Sequence, residues 1–171
     1  AIRSRHLGMT IELMRHLDER FTLDLMLVET DPVHMMELRA MARGDRRIRF
    51  VEPVALEEIC QRINEYDVGL FLLPPVNFNY RHALPNKFFE FVQARLVIAI
   101  GPSPEMAALV DQYSLGLVAD SFQPEALAAM LRQLTDESLM TYKLAVDRAA
   151  AELNFGVVGK ALRHEIQRLV P

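Results

Sequence analysis

The sequence predicts an α/β fold, a Rossmann-like parallel sheet with helices on both faces. Three observations predict it. Five short apolar runs, at 21–28, 47–51, 68–73, 96–100 and 116–120, alternate with segments whose apolar residues recur every three or four positions. Two of the runs, Val68-Gly69-Leu70-Phe71-Leu72-Leu73 and Leu96-Val97-Ile98-Ala99-Ile100, are continuously apolar, as strands are when helices cover both sides of a sheet. Turn and cap residues punctuate the alternation at Asp31-Pro32, Gly44, Pro74-Pro75 and Gly101-Pro102. Alternation of this kind argues right-handed crossovers and a single parallel sheet of five strands in one domain, residues 1–171.

Taken in order, residues 1–8 are polar and read as a loop, and 9–17 read as a helix with Met9, Leu13 and Leu17 at spacing four. A strand ordinarily precedes such a loop–helix unit, so we expect a fragment of a longer protein. The strand at 21–28 ends in a turn, where Asp31 suits an N-cap and Pro32 the first helical position. The helix at 33–43 closes at Gly44, and a short strand at 47–51 follows. Residues 56–66 are helical with Ile59 and Ile63 on one face, and Asp67 turns the chain into the apolar run 68–73. After the strand at 96–100, helices are expected to about residue 113, at 124–134 and at 136–153, with the last strand at 116–120 between the first two. Residues 155–170 carry a closing helical stripe of Phe155, Val158, Leu162, Ile166 and Leu169.

Ligands of such sheets sit beyond the carboxyl ends of the strands. The stretch that best suits a ligand there is Leu84-Pro85-Asn86-Lys87-Phe88-Phe89-Glu90-Phe91. Pro85 suits the first turn of a helix, where a missing N–H costs nothing. Asn86 and Lys87 then fall where free backbone N–H groups favour an anion such as phosphate. Glu90, three residues past Lys87, shares its face and offers acceptors to the two ribose hydroxyls of a nucleotide. The same spacing equally describes an amphipathic helix with solvated charges.

Composition excludes several classes. A net charge of −4 argues against nucleic acid as a partner. No apolar run approaches the ~20 residues of a membrane span. Cys60 is the one cysteine, so there is no intrachain disulfide, which fits a reducing, cytoplasmic setting. The five histidines show no metal-ligand spacing.

Pro85-Asn86-Lys87-Phe88-Phe89-Glu90, then Val97-Ile98-Ala99, Pro104-Glu105-Met106, Gly116-Leu117-Val118-Ala119-Asp120 and Pro124-Glu125-Ala126-Leu127 follow one another in a spacing that resembles a known family. It is the C-terminal, nucleotide-sugar-binding half of GT-B glycosyltransferases, group 1 or family 4 type. The resemblance covers nearly the whole chain and is strongest over 67–130. It implies a hexosyltransferase of polysaccharide biosynthesis whose donor is a nucleoside-diphosphate sugar, such as a UDP-sugar. It implies Glu90 on the ribose, Asn86 and Lys87 at the diphosphate, Arg5 (or Arg3) approaching the same phosphates, and Val54 near the base. It implies no cofactor beyond the donor and no metal, since helix amides and basic side chains neutralise the leaving diphosphate. It also implies an N-terminal acceptor-binding domain of the same protein, through which any peripheral membrane association would run. The isolated chain is then an incomplete enzyme.

The sequence departs from the family's pattern in places. The first of its paired glutamates stands eight residues before the second, and here that position is His82. His82 is the candidate catalytic residue, contacting a donor phosphate or sugar, with a plain loop residue as the other reading. Arg95 replaces a usual Gly, and Val97 a usual Pro. Phe78 and Tyr80 either flank the ligand or pin their loop, and Glu105 suits the start of a helix. A non-catalytic Rossmann-like nucleotide-binding or regulatory module, and half of a GT-B-fold UDP-sugar epimerase, remain alternatives.

Overall fold

The computed structural model describes residues 3–154. The closing stripe at 155–170 lies outside the described residues. A 3-10 turn at Arg3–Arg5 leads into α1 (Gly8–Leu13), which tightens into a second 3-10 turn at Met14–His16. Then come β1 (Leu23–Met26), α2 (Pro32–Met41) and β2 (Ile48–Val51). A turn at Leu56–Glu58 opens α3 (Ile59–Ile63), followed by β3 (Val68–Phe71), α4 (Phe78–Arg81) and α5 (Asn86–Gln93). The chain goes on through β4 (Val97–Ile100), α6 (Pro104–Tyr113), β5 (Gly116–Val118), α7 (Pro124–Arg132) and α8 (Asp136–Ala150).

Local chemistry sets the helix starts. The Asp31 carboxylate accepts from the His34 N–H at 2.9 Å, with Pro32 just inside α2. Thr135 and Ser138 form a reciprocal capping box at the start of α8. The one-turn helix α4 was expected as loop. It exists because Asn77 caps it, accepting from the Tyr80 N–H at 2.8 Å.

All strand pairs are parallel, as expected. The five strands do not, however, make the one continuous sheet the alternation predicts. β1 pairs with β2, and β3, β4 and β5 form a separate ladder in that order. The physical reason is lateral: no ladder joins β1 to β3, and side chains span the interval instead. The Tyr66 hydroxyl, two residues ahead of β3, donates to the Asp24 carboxylate of β1 at 2.7 Å. Arg49 of β2 binds both oxygens of the same carboxylate at 2.7 Å. Burial works to raise the Asp24 pKa, but the bonds from Arg49 and Tyr66 outweigh it and hold the carboxyl below its ordinary value.

Helices cover both faces. On one, Leu13 and Met14 behind α1 and Leu127, Ala128 and Leu131 of α7 pack on Val68, Leu70, Ala99 and Leu117. Leu23 and Ile48 of the other ladder join this same cluster. On the opposite face, Phe88 and Val92 of α5, Met106 and Val110 of α6 and Val146 and Ala149 of α8 enclose Ile98 and Ile100. All four residues of β4 have no exposed surface. Burying each of its Val and Ile side chains contributes roughly 1.5–3 kcal/mol, so β4 is the axis of the core. Close approach holds the elements: a Cβ on Gly69 of β3 would lie 2.4 Å from the Phe91 ring of α5.

Candidate nucleotide-sugar site

The ends of β1 and β3 open onto one edge of the molecule, and the candidate residues gather there. Phe71 ends β3, and α5 begins at Asn86 with Pro85 as its N-cap, one position earlier in role than its sequence suggests. No side chain caps α5, and while the Phe88 N–H bonds the Pro85 carbonyl at 2.9 Å, the Asn86 and Lys87 N–H groups of the first turn have no partner within the helix. Lys87 follows at the second helical position. Its ammonium lies 5.7 Å from the centroid of the Phe71 ring.

The charges at this point are coupled. Loss of solvation pulls the Lys87 pKa below the ordinary lysine value, the Glu90 carboxylate works to raise it, and the Arg5 guanidinium adds to the fall. Lys87 as a residue is still exposed, so water tempers the shift, and its direction is what matters. Two cations thus stand near enough to repel one another, beside unbonded helix amides.

Arg5 is held in place from the β3 side. Its guanidinium carbon lies 5.4 Å from the centroid of the Tyr80 ring, and the Tyr80 hydroxyl bonds Ser4 Oγ at 2.9 Å. Arg3 turns to the β1 side, where it meets both Glu37 oxygens at 2.6 and 2.9 Å and Asp31 at 3.4 Å. Arg3 is thus tied to acidic partners, while Arg5 rests on the Tyr80 ring.

Glu90 is half-buried and lines a cavity of about 380 Å³ with Asn86, Phe89, Gln93, Leu56 and Cys60. The cavity's walls are apolar apart from a few polar groups, as small-molecule sites are. The Cys60 thiol donates to the Glu90 carbonyl at 3.7 Å, and burial pushes its pKa up.

The structure therefore brings together Arg5, Lys87, Glu90 and Asn86. Val54 is placed apart from Glu90, in a shallower depression with Glu58, Gln61, Arg62 and Glu65. Leu56, two residues on, is the side chain from that loop which reaches the Glu90 cavity. His82 caps the end of α4, with its Nδ1 3.1 Å from Glu105 at the start of α6 and its ring 4.7 Å from Phe78. Glu105 is thus a partner of His82 as well as a helix-start residue. Of the two aromatics, Tyr80 pins the loop, while Phe78 stays 76% exposed.

Sequence reasoning missed Ser4, Phe71 and Leu56. Leu56 is a lone apolar residue among Glu57 and Glu58, a weak signal that could have marked it. Ser4 and Phe71 carried none, since their roles come from chain segments distant in sequence. Among the described residues no group of three or more His, Cys, Asp or Glu gathers as metal ligands, and no helix is long and apolar enough to cross a membrane.

Crystal structures of known proteins share this fold. HepE from Anabaena, solved in complex with UDP and glucose, superposes with a TM-score of 0.75 at 12% identity, over 98% of this chain and 46% of that one. WaaG, a glycosyltransferase involved in lipopolysaccharide biosynthesis, superposes with a TM-score of 0.64 at 14% identity, over 86% of this chain and 40% of that one. The chain spans less than half the length of either. The likeness shows the fold, one α/β half of a GT-B arrangement. No protein-family model and no curated protein matches the sequence.

Proposed function

We propose that this chain is the donor-binding half of a metal-independent glycosyltransferase and binds a nucleoside-diphosphate sugar. One observation carries the reading: the Arg5 and Lys87 cations converge beside the uncapped start of α5, one turn from Glu90. A diphosphate relieves the repulsion between the cations and accepts from the α5 amides. Glu90, one turn further, accepts from the ribose hydroxyls, and the base enters the cavity toward Leu56, with Val54 at its outer rim. In transfer, the same cations and amides stabilise the charge that develops on the departing diphosphate. His82 reaches the sugar or its phosphate once it leaves Glu105. The acceptor and a second domain complete the cleft, so the chain alone carries out no steady transfer.

HepE is described in complex with UDP and glucose, which makes UDP the first probe. Calorimetric titration of the chain with UDP, GDP, ADP and uridine tests the reading. One diphosphate should bind, its nucleoside should bind far more weakly, and Glu90→Gln should weaken the diphosphate about tenfold, at ~1.4 kcal/mol per decade. Absence of binding by any diphosphate removes the proposal. The His82–Glu105 pair favours a second reading, a nucleotide-binding module without catalysis, because it occupies the imidazole. Diphosphate binding with no transfer even by the longer, two-domain protein would select that reading.

A further inference from the structure

The ring of His34 in α2 stands in two environments at once. The residue is 8% exposed, and its Nε2 is buried with no hydrogen-bond partner among the described residues. One turn further along the same face, Leu38 sits in the core with Ile11 and Leu25. A buried polar atom left unpaired destabilises the folded state, so an imidazole here costs stability that an apolar side chain would not. The other ring nitrogen is engaged: Nδ1 lies 3.2 Å from Glu37 Oε2. Glu37 is held below its ordinary pKa, first by the hydrogen bond from Arg3 and then by that from His34, so it is ionised and its oxygens only accept. Nδ1 therefore carries the proton and donates, and neutral His34 leaves a bare lone pair on the buried Nε2.

That bond steadies a carboxylate that is otherwise free to swing. The Glu37 side chain is 48% exposed, and an exposed ion pair holds weakly because ordering two long side chains costs entropy. Here His34 orders one of the two from within the helix. Glu37 then meets Arg3 with both oxygens, at 2.6 and 2.9 Å, in a two-pronged and therefore directional pair. Asp31 adds a contact to the same guanidinium at 3.4 Å and is itself fixed by the His34 N–H. Arg3 opens the turn that carries Ser4 and Arg5 to Tyr80. The His6 N–H closes this turn on the Arg3 carbonyl at 3.1 Å, and His6 sits at φ +52°, a left-handed conformation that a histidine adopts at a cost. Such a backbone persists where its surroundings hold it, and α2 on one side and Tyr80 on the other are its anchors.

We propose that His34 is a positioning residue for the ligand edge: through Glu37 it fixes the Arg3 clamp, and the clamp sets the turn from which Arg5 reaches the donor diphosphate. His34 acts through Glu37 and touches no ligand. Its part in binding rests on the donor-binding reading above, whereas its hold on the turn does not. The ring that weakens the fold at Nε2 orders the turn at Nδ1. Stability and binding therefore part when the ring is replaced, which they do not for a residue that serves the core alone.

NMR, amide exchange and calorimetry on the 171-residue chain test this. In nitrogen-resolved NMR at about pH 8, where an imidazole is ordinarily neutral, Nδ1 of His34 should carry the proton. His34→Leu should speed exchange of the His6 amide about fivefold, the scale of one hydrogen bond, and should weaken whichever of UDP, GDP and ADP the parent binds best by about the same factor. Its melting temperature should match or exceed that of the parent. His34→Asn, which sets an amide N–H close to the position of Nδ1, should restore both the exchange rate and the affinity. A bare Nδ1, or an unchanged His6 amide in His34→Leu, overturns the proposal. So does a melting temperature that falls together with the affinity and is not rescued by His34→Asn. If no diphosphate binds the parent, the step from turn to ligand falls with the donor-binding reading, while the Nδ1 proton and the His6 amide still decide the hold on the turn.

Discussion

The Lys87 ammonium, at the second position of α5, lies 5.7 Å from the centroid of the Phe71 ring at the end of β3. The contact couples the last residue of a core strand to the first turn of the helix beside it. It also sets a cation where solvation is reduced and where the Arg5 charge opposes it. Such a residue weakens the fold by the solvation it gives up.

Lys87→Met should therefore raise the melting temperature of the empty chain while weakening diphosphate binding at least tenfold, and the binding defect should shrink in high salt. The pH dependence has a definite sign. The folded pKa lies below the unfolded one, so between the two values the unfolded chain holds more protons. Stability linked to this group is full above the unfolded pKa of ~10.4 and is lost as pH falls through the folded pKa. Melting curves from neutral to alkaline pH should rise more steeply with pH for the parent than for Lys87→Met. Parallel curves would place the ammonium in free solvent.

Tyr80 holds Arg5 by its ring and Ser4 by its hydroxyl. Tyr80→Phe keeps the ring and should weaken diphosphate binding by less than about fivefold, the scale of one hydrogen bond. Tyr80→Ala removes both contacts, about 1–2 kcal/mol together, and should weaken it about tenfold. Equal effects of the two substitutions in calorimetry would mean that the ring does nothing for Arg5.

Gly116 opens β5 at φ +155°, and a Cβ there would lie 2.0 Å from the Ile98 carbonyl oxygen. Gly116→Ala should destabilise the chain by about 3 kcal/mol or more, because the obstacle is backbone of the central strand. Gly44 also has positive φ, at +90°, but open space around it. Gly44→Ala should cost only about 1 kcal/mol. Urea unfolding of the two variants checks the ranking.

Arg95 occupies a left-handed conformation, φ +63°, after the end of α5. Its side chain compensates by binding Asp147 at 2.6 Å and the Gln93 carbonyl. Arg95→Gly loses those bonds but relieves the backbone, whereas Arg95→Ala loses the bonds and keeps the strain. The Gly variant should be more stable than the Ala variant by about 1 kcal/mol in urea unfolding. A usual Gly at this position in the resembling family fits the left-handed backbone seen here.

The sequence by itself determined the elements and their order. Continuous apolar runs such as 96–100, five residues between turn signals, read as strands covered on both faces, and Asp31-Pro32 marked a helix start through chemistry confined to a few neighbouring residues. Lys87 and Glu90 were legible as a pair because helical geometry relates residues three apart. Tertiary structure alone decided the rest. It tied Arg3 to Glu37 and Asp31, 34 and 28 residues away, and set Arg5 against the Tyr80 ring. It set Leu56 in the Glu90 cavity and Val54 outside it, since small rotations of a loop against α5 leave no trace in residue spacing. It also parted the five strands into two ladders. Strand pairing depends on which edges come within hydrogen-bonding distance, and apolar alternation, a property of each strand's faces, carries no information about its edges.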